Sequence, residues 1–405
     1  MPRVLLLLTL LAVPAVAADW PQWRGPARDG HIPELEPRGH WPGALQAAWK
    51  VGVGIGYASP VVVGDQVFVF SREGEEEVVQ SLDLASGRRL WRASYPAPYT
   101  MNPAASSHGM GPKSTPVVAE GRIFTLGISG ILSCFDAKSG RLVWRKEFRG
   151  QFREASPLYG VAMSPVVERR LLVAHVGGSG DGALTAFDAA SGAVRWAWKG
   201  DGPAYASPVI AEISGVRQIV TLSESNLVGL AAETGELLWR LPFTTPYAQN
   251  AVTPVIGGDT VIYSGLDHSL RAIRVVRRGA ALKAEPLWEN ADVTAYMSTP
   301  VLVGGRLYGL SHRRKGQFFS VDAATGVTQW LSPGRVGENA AVLAGAGMLF
   351  LLTSDAELIV AAQGGRAFEA VKRYDLGTSP TWAHPVILGH GVLVKDADSL
   401  MFLRY

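Results

Sequence analysis

Three features of the 405-residue sequence predict an all-β fold, an eight-bladed β-propeller made of four-stranded antiparallel blades. Glycine (46 residues) and proline (25) punctuate many short apolar runs without a Gly-X-Y period. That composition marks a turn-rich packed protein rather than collagen or disorder. A Ser/Thr-Pro-Val tripeptide recurs at intervals of 41 to 56 residues, the range of propeller blades. Asp-x-x-Ser/Thr-Gly-x-x-x-Trp follows later in most of the repeats.

The anchor tripeptides define the units. They lie at Ser59-Pro60-Val61, Thr115-Pro116-Val117, Ser164-Pro165-Val166, Ser207-Pro208-Val209, Thr253-Pro254-Val255 and Thr299-Pro300-Val301. A looser copy is Ala340-Ala341-Val342, and the last is His384-Pro385-Val386. Runs such as Val67-Phe-Val-Phe70 and Ile123-Phe-Thr-Leu126 read as strands. Gly64, Gly121, Gly304 and Gly389 sit where the first hairpin of a unit must turn. The Asp/Ser/Gly cluster is a second turn, because Asp accepts nearby backbone N–H bonds and Gly tolerates φ > 0. Full copies place Trp91, Trp144, Trp196 and Trp330 on the strand after that turn; Trp239 and Trp288 keep the Trp but lose part of the motif. A Trp recurring once per blade reads as packing between neighbouring sheets. The segment from Ala280 to Pro286 reads as a turn extension.

The ring closes through its ends. After Pro385 there is room for about three strands and no terminal Trp. Leu45-Gln-Ala-Ala-Trp49 lies upstream of Pro60 by nearly the spacing that separates Trp196 from Pro208. Residues about 45–50 are therefore expected to supply the outer strand of the eighth blade. The expected organisation is a signal segment 1–17, an N-terminal extension 18–44 and a propeller 45–405. Arg3, the apolar run Val4–Val13, Pro14 and Ala15-Val16-Ala17 have the pattern of a cleaved export signal. This predicts a periplasmic or secreted protein. No Cys follows the cleavage site, so the usual bacterial lipid anchor is not expected. No later run approaches the ~18 apolar residues of a membrane span.

Composition narrows the function classes. The formal charge is +3 and no Lys/Arg block stands out, so nucleic acid is not an expected partner. One cysteine, Cys134, excludes an internal disulfide, a CxxC redox pair and a thiolate metal cluster. Cys134 is expected to be a buried inert thiol. HExxH, GxSxG, P-loop and dinucleotide fingerprints are absent. Asp396-Ala-Asp398 reads as a hairpin turn.

The Asp-x-x-Ser/Thr-Gly-x-x-x-Trp repeats resemble those of the pyrroloquinoline quinone (PQQ) repeat propellers. That group includes quinoprotein dehydrogenases and the propeller subunit of the bacterial outer-membrane assembly machine. The opening Trp20-Pro-Gln-Trp23-Arg24-Gly25-Pro26-Ala-Arg28-Asp29-Gly30 resembles that of exported PQQ-like proteins and is expected to dock on the propeller edge or bottom. The resemblance covers about residues 20–405 and implies architecture rather than a reaction. It leaves two functions. The first is a non-catalytic scaffold that binds a protein, a peptide or a small molecule in the cell envelope and needs no cofactor. The alternative is a PQQ- and Ca²⁺-dependent oxidoreductase of alcohols or sugars. Family dehydrogenases stack the quinone on an adjacent-cysteine disulfide, which a chain with Cys134 alone cannot form. No calcium ligands and no catalytic residues map onto this sequence.

A propeller ligand is expected at the channel mouth, next to the inner strands. Three residues before each anchor Pro or its equivalent stand Tyr57, Lys113, Ala162, Tyr205, Ala251, Met297, Glu338 and Trp382. Asn250 and His384 are close neighbours. The binding candidates are Tyr57, Lys113, Tyr205, Asn250, Met297, Glu338, Trp382 and His384; the competing reading is loop packing around a water-filled channel. Two connections, Trp91–Pro116 and Trp144–Pro165, are about twice the usual length and should emerge on one face. They supply the loop-face candidates Tyr99, His108, Arg149 and Arg153. No metal ligands are assigned.

Overall fold

The repeats fold as their turns dictate. A computed structural model describes residues 19–33, 35–37 and 39–405; the expected export segment 1–17 lies outside the described residues. Eight four-stranded antiparallel sheets form the blades. Blade 1 runs from Val61 to Pro96, blade 2 from Val117 to Lys146, blade 3 from Val166 to Trp198 and blade 4 from Val209 to Pro242. Blade 5 spans Val255 to Asn290, blade 6 Val301 to Leu331 and blade 7 Ala340 to Asp375. Blade 8 takes three strands from Val386 to Arg404 and its fourth from Gln46–Gly52. That last strand pairs antiparallel with Ser399–Arg404, with Gln46 opposite Arg404 and Gly52 opposite Ser399. The two ends of the propeller are thereby stitched into one sheet, and the ring has no open seam.

The apolar core lies between neighbouring sheets. Val61, Phe68, Phe70 and Val79 of blade 1 pack with Val118, Ile123 and Phe135 of blade 2. Burying each such side chain contributes about 1.5–3 kcal/mol. The seam between blades 7, 8 and 1 is filled in the same way by Phe350, Leu352, Phe402, Val392 and Val67.

The Trp motif has a specific geometry. Each motif Asp holds its turn through the N–H of the Ser/Thr three residues on: Asp83 from Ser86 (2.9 Å), Asp136 from Ser139 (2.8 Å), Asp188 from Ser191 and Asp322 from Thr325 (both 2.9 Å). The Gly that follows has positive φ, and the Trp of the preceding blade lies flat against it. A Cβ on Gly140 (φ +71°) would stand 2.4 Å from Trp91 Cε3, and one on Gly192 2.9 Å from Trp144 Cδ2. The indole N–H then donates to the residue after the Asp: Trp49 to Leu84 (2.9 Å), Trp91 to Ala137 (3.0 Å), Trp144 to Ala189 (3.1 Å) and Trp288 to Ala323 (3.0 Å). Trp49, from the strand closing blade 8, thus locks onto blade 1. Where the motif of the next blade is incomplete the indole does otherwise. The N–H of Trp196, facing blade 4 with Ala231 for the Asp, is buried without a partner among the described residues. Trp239, facing blade 5, donates to Gln218 Oε1 of its own blade (2.7 Å), and Trp330, facing blade 7, donates to the Gly364 carbonyl (3.4 Å).

One expectation needs adjustment. The segment 280–286 is not a turn extension: it belongs to the strand Ala281–Asn290, which pairs with His268–Arg278 in a long outer hairpin. Tyr95, Phe148 and Phe152, which lie in or beside the long connections, are buried and not surface aromatics. Tyr95 donates its hydroxyl to the buried carboxylate of Glu77 (2.8 Å). Asp396 does form a hairpin turn, accepting from Asp398 N (3.2 Å) and Ser399 N (2.7 Å). Cys134 is fully buried, and burial pushes its thiol up to about 12.

Candidate functional site

The anchor tripeptide builds the channel. Its Ser/Thr hydroxyl accepts the backbone N–H of the equivalent residue one blade earlier. Ser59 N donates to Thr115 Oγ1 (3.0 Å), Thr115 N to Ser164 Oγ (2.9 Å) and Ser164 N to Ser207 Oγ (2.9 Å). Ser207 N donates to Thr253 Oγ1 (3.0 Å) and Thr253 N to Thr299 Oγ1 (3.2 Å). His384 N completes the run by donating to Ser59 Oγ (2.8 Å). The run stops at blade 7, where Ala340 carries no hydroxyl; Ser298 Oγ donates to the Ala340 carbonyl there (2.6 Å). At the six anchors with a hydroxyl, it gives the buried N–H of the preceding blade its partner.

The N-terminal segment seals this ring from below. Its backbone clips to blade 1 (Trp20 N to Val62 O, 2.7 Å), blade 2 (Val118 N to Pro21 O, 2.8 Å) and blade 7 (Ile32 N to Ala344 O, 2.8 Å). Between the clips, Arg24 and Arg28 enter the channel, 1% and 4% exposed. Arg28 donates to the carbonyls of Ser164 (2.9 Å), Pro165 (2.9 Å) and Pro208 (3.1 Å). Arg24 donates to those of Thr299 (2.8 Å) and Pro300 (2.7 Å). Arg24, Arg28 and the backbone clips so grip six of the eight blades. Burial lowers both guanidinium pKa values, to about 10 for Arg24 and about 9 for Arg28, and leaves them cationic at neutral pH. Trp23 lies against both, with its ring centroid 5.6 Å from Arg24 Cζ and 5.8 Å from Arg28 Cζ.

Trp23 and the hydroxyl ring are the floor of a mouth of about 600 Å³ on the opposite side of the plug. One wall is an aromatic cluster. Tyr57 stacks on Trp382 (5.6 Å, 21°), and His108 meets Trp382 edge-on at 4.9 Å. Opposite stand Tyr159 and Tyr205, whose hydroxyl accepts from Tyr159 N (3.2 Å), together with Tyr296, hydrogen-bonded to Gln249. Tyr247 projects from the rim with 72% exposure and a left-handed backbone (φ 58°). Lys113 donates to the Tyr159 carbonyl (2.9 Å), and burial pulls its ammonium down to about 8. Burial and the Lys113 charge lower His108; burial and the Arg24 charge push His384 down to about 3, so it is neutral.

Of the channel-mouth candidates, Tyr57, Lys113, Tyr205, Met297, Glu338, Trp382 and His384 all line this mouth. Asn250 does not. It is fully buried, and its amide donates to the carbonyls of Ser223 (2.8 Å) and Phe243 (2.9 Å), pinning a loop of blade 4. Among the loop-face candidates only His108 reaches the mouth. Tyr99 is half-buried, with its hydroxyl against Gly160. Arg149 is exposed away from the lining, and Arg153 turns to Asp181 on blade 3 (3.7 Å). Trp23, Tyr159, Tyr247 and Gln249 also line the mouth but were not candidates on sequence. Tyr159 and Tyr247 sit in connections whose path no spacing rule sets.

The mouth does not fit a calcium-bound quinone. Ca²⁺ takes six to eight hard oxygens including carboxylates, and Glu338 is the one carboxylate on this lining. Among the described residues no three His, Cys, Asp or Glu side chains converge as a metal site. The paired-cysteine platform is also impossible in a chain with one Cys.

Repeat, blade closure and Trp docking together define a PQQ-type eight-bladed β-propeller. The family model described as outer membrane protein assembly factor BamB matches residues 75–332, and the chain belongs to that family. The BamB of Bordetella pertussis is 24% identical over 379 residues, covering 89% of this chain and 87% of that protein. The BamB of Shewanella oneidensis is 26% identical over 228 residues; that match covers 53% of this chain and spans about half of the relative, 55%. The crystal structure of BamB from Moraxella catarrhalis superposes with a TM-score of 0.62 at 14% identity, covering 89% of this chain and all of that one. The quinohemoprotein alcohol dehydrogenase of Comamonas testosteroni gives 0.66, also at 14% identity, over 95% of this chain and 80% of that one. At such identities these two structures share the fold.

Proposed function

We propose that this chain is a non-catalytic binding propeller of the cell envelope, exported through residues 1–17, that holds a protein partner of outer-membrane assembly at its channel mouth. The observation that carries this reading is the mouth itself. It is a floored aromatic bowl with an exposed Tyr247 at its rim and lacks the ligands of a quinone site. Aromatic side chains with a polar tip give large contact area at low entropic cost, which is why they dominate binding surfaces. Membership of the BamB family supports the class of partner. Among the described residues no helix is long and apolar enough to cross a membrane.

Photocrosslinking tests it. A photoreactive side chain at Tyr247, Met297 or Trp382 is expected to give, in cells, an adduct to one envelope protein of the outer-membrane assembly machinery. The same group at Val194 or Val371, on outer strands, is expected to give none. Equal labelling from both sets of positions would refute a specific docking face.

A further inference from the structure

Each anchor hydroxyl has chemistry left over. In accepting a backbone N–H it uses one lone pair, and its own O–H stays available as a donor. Ser59, Thr115, Ser164, Ser207, Thr253 and Thr299 all accept in this way, and among the described residues none donates to a protein acceptor. All six border the mouth. The channel therefore presents a ring of O–H groups at its floor.

The charges around that ring are predominantly positive. Lys113 spends one ammonium proton on the Tyr159 carbonyl and keeps two. Directly behind Trp23, the Arg24 and Arg28 guanidiniums are tied to neutral carbonyls, and neither pairs with a carboxylate in a salt bridge among the described residues. The Asp29 charge offsets part of the Arg24 field, whereas burial alone acts on Arg28. Glu338 is the one carboxylate on the lining; it is exposed, and its charge acts on Tyr57, His108 and Tyr296 of the walls. A neutral polyol could use the hydroxyls but would gain nothing from three cations; an anion uses both. The walls above, Tyr57 on Trp382, are flat and apolar-faced. In addition, the Asn339 amide oxygen is buried at this lining with no partner, an acceptor without a donor.

We infer that the floor of the mouth is a carboxylate site, taking the end group of an organic acid or of a peptide chain between the hydroxyl ring and Lys113, with the ligand's body against Tyr57 and Trp382. A peptide C-terminus adds an N–H close behind its carboxylate, the kind of donor Asn339 lacks. The inference deepens the binding reading above, since it says what part of a partner the bowl is built to hold.

Calorimetry on the full chain decides it, with 3-phenylpropionate, its uncharged amide, and the peptide acetyl-Gly-Ala-Val-Leu with a free or an amidated C-terminus as probes. The acids are expected to bind saturably and about tenfold or more tighter than their amides, as for hydrogen bonds made to a charged group. Lys113→Met should weaken the acids about tenfold, while Lys113→Arg should keep them within about threefold. Tighter binding of the free-ended peptide than of phenylpropionate assigns the site to a chain terminus, and the reverse order assigns it to a small acid. Equal affinity for acid and amide, or no saturable binding, overturns the inference. So does unchanged affinity in a Lys113→Met protein with wild-type circular dichroism. Rim crosslinks to the envelope partner that persist without acid binding would sink the carboxylate site and leave the partner reading standing; acid binding without crosslinks would do the opposite.

Discussion

Removing Arg28 should loosen the base of the propeller measurably. Its guanidinium makes four hydrogen bonds, three of them to buried carbonyls of blades 3 and 4 and one to Gln22 Oε1 (3.2 Å). Arg28→Ala leaves those three carbonyls unpaired, each costing about 1–3 kcal/mol. Against this, the buried charge itself carries a desolvation penalty of several kcal/mol that the variant no longer bears. The difference is about 3 kcal/mol of lost stability. For a domain of about 390 residues the unfolding entropy is about 0.8 kcal/mol/K, so the Tm should fall by about 4 °C. Scanning calorimetry reads the global term. Hydrogen exchange reads the local one, at the amides of Val62, Val118 and Ala344, whose acceptors are the Trp20, Pro21 and Gly30 carbonyls. Those three should exchange faster. Arg28→Met restores bulk without hydrogen bonds and should behave like Ala. A Tm shift under about 1 °C with protection intact at all three amides would refute the idea that the guanidinium holds the plug.

The other expectations concern packing and pH. Gly140→Ala should cost about 2–4 kcal/mol in urea denaturation, combining left-handed backbone strain with a clash against Trp91. Gly121→Ala has the same φ of +71° but open space around it, so it should show only the strain, about 1–2 kcal/mol; equal losses would remove the Trp clash from the account. Burial lowers the Lys113 pKa from 10.5 to about 8, so its charged form opposes folding. That cost is present in full below pH about 8 and is shed as pH rises toward 10.5. Wild-type stability relative to Lys113→Met should therefore rise across that window; a flat difference would place the ammonium in water.

Much of the molecule is legible in one dimension because each blade is a local structure. Turn residues and strand lengths within some 45 residues suffice to specify a four-stranded sheet. Even ring closure could be read, since Trp49 stands at a Trp-to-anchor spacing that recurs elsewhere. The same periodicity located Tyr57, Lys113, Tyr205, Met297, Glu338 and Trp382, because equivalent positions in a repeat reach the axis together. It failed at Asn250, where a neighbouring residue in the same loop turns its side chain into the protein to satisfy buried carbonyls. It also could not identify the floor. Trp23, Arg24 and Arg28 belong to no repeat, and their partners lie more than a hundred residues away, at Ser164, Pro208 and Thr299. Nor does a repeated Ser/Thr announce that its oxygen serves the preceding blade's backbone. A period in sequence determines which residues are equivalent. Only the closed ring decides which of them face one another, because circular closure is what brings eight distant strand starts to a single axis.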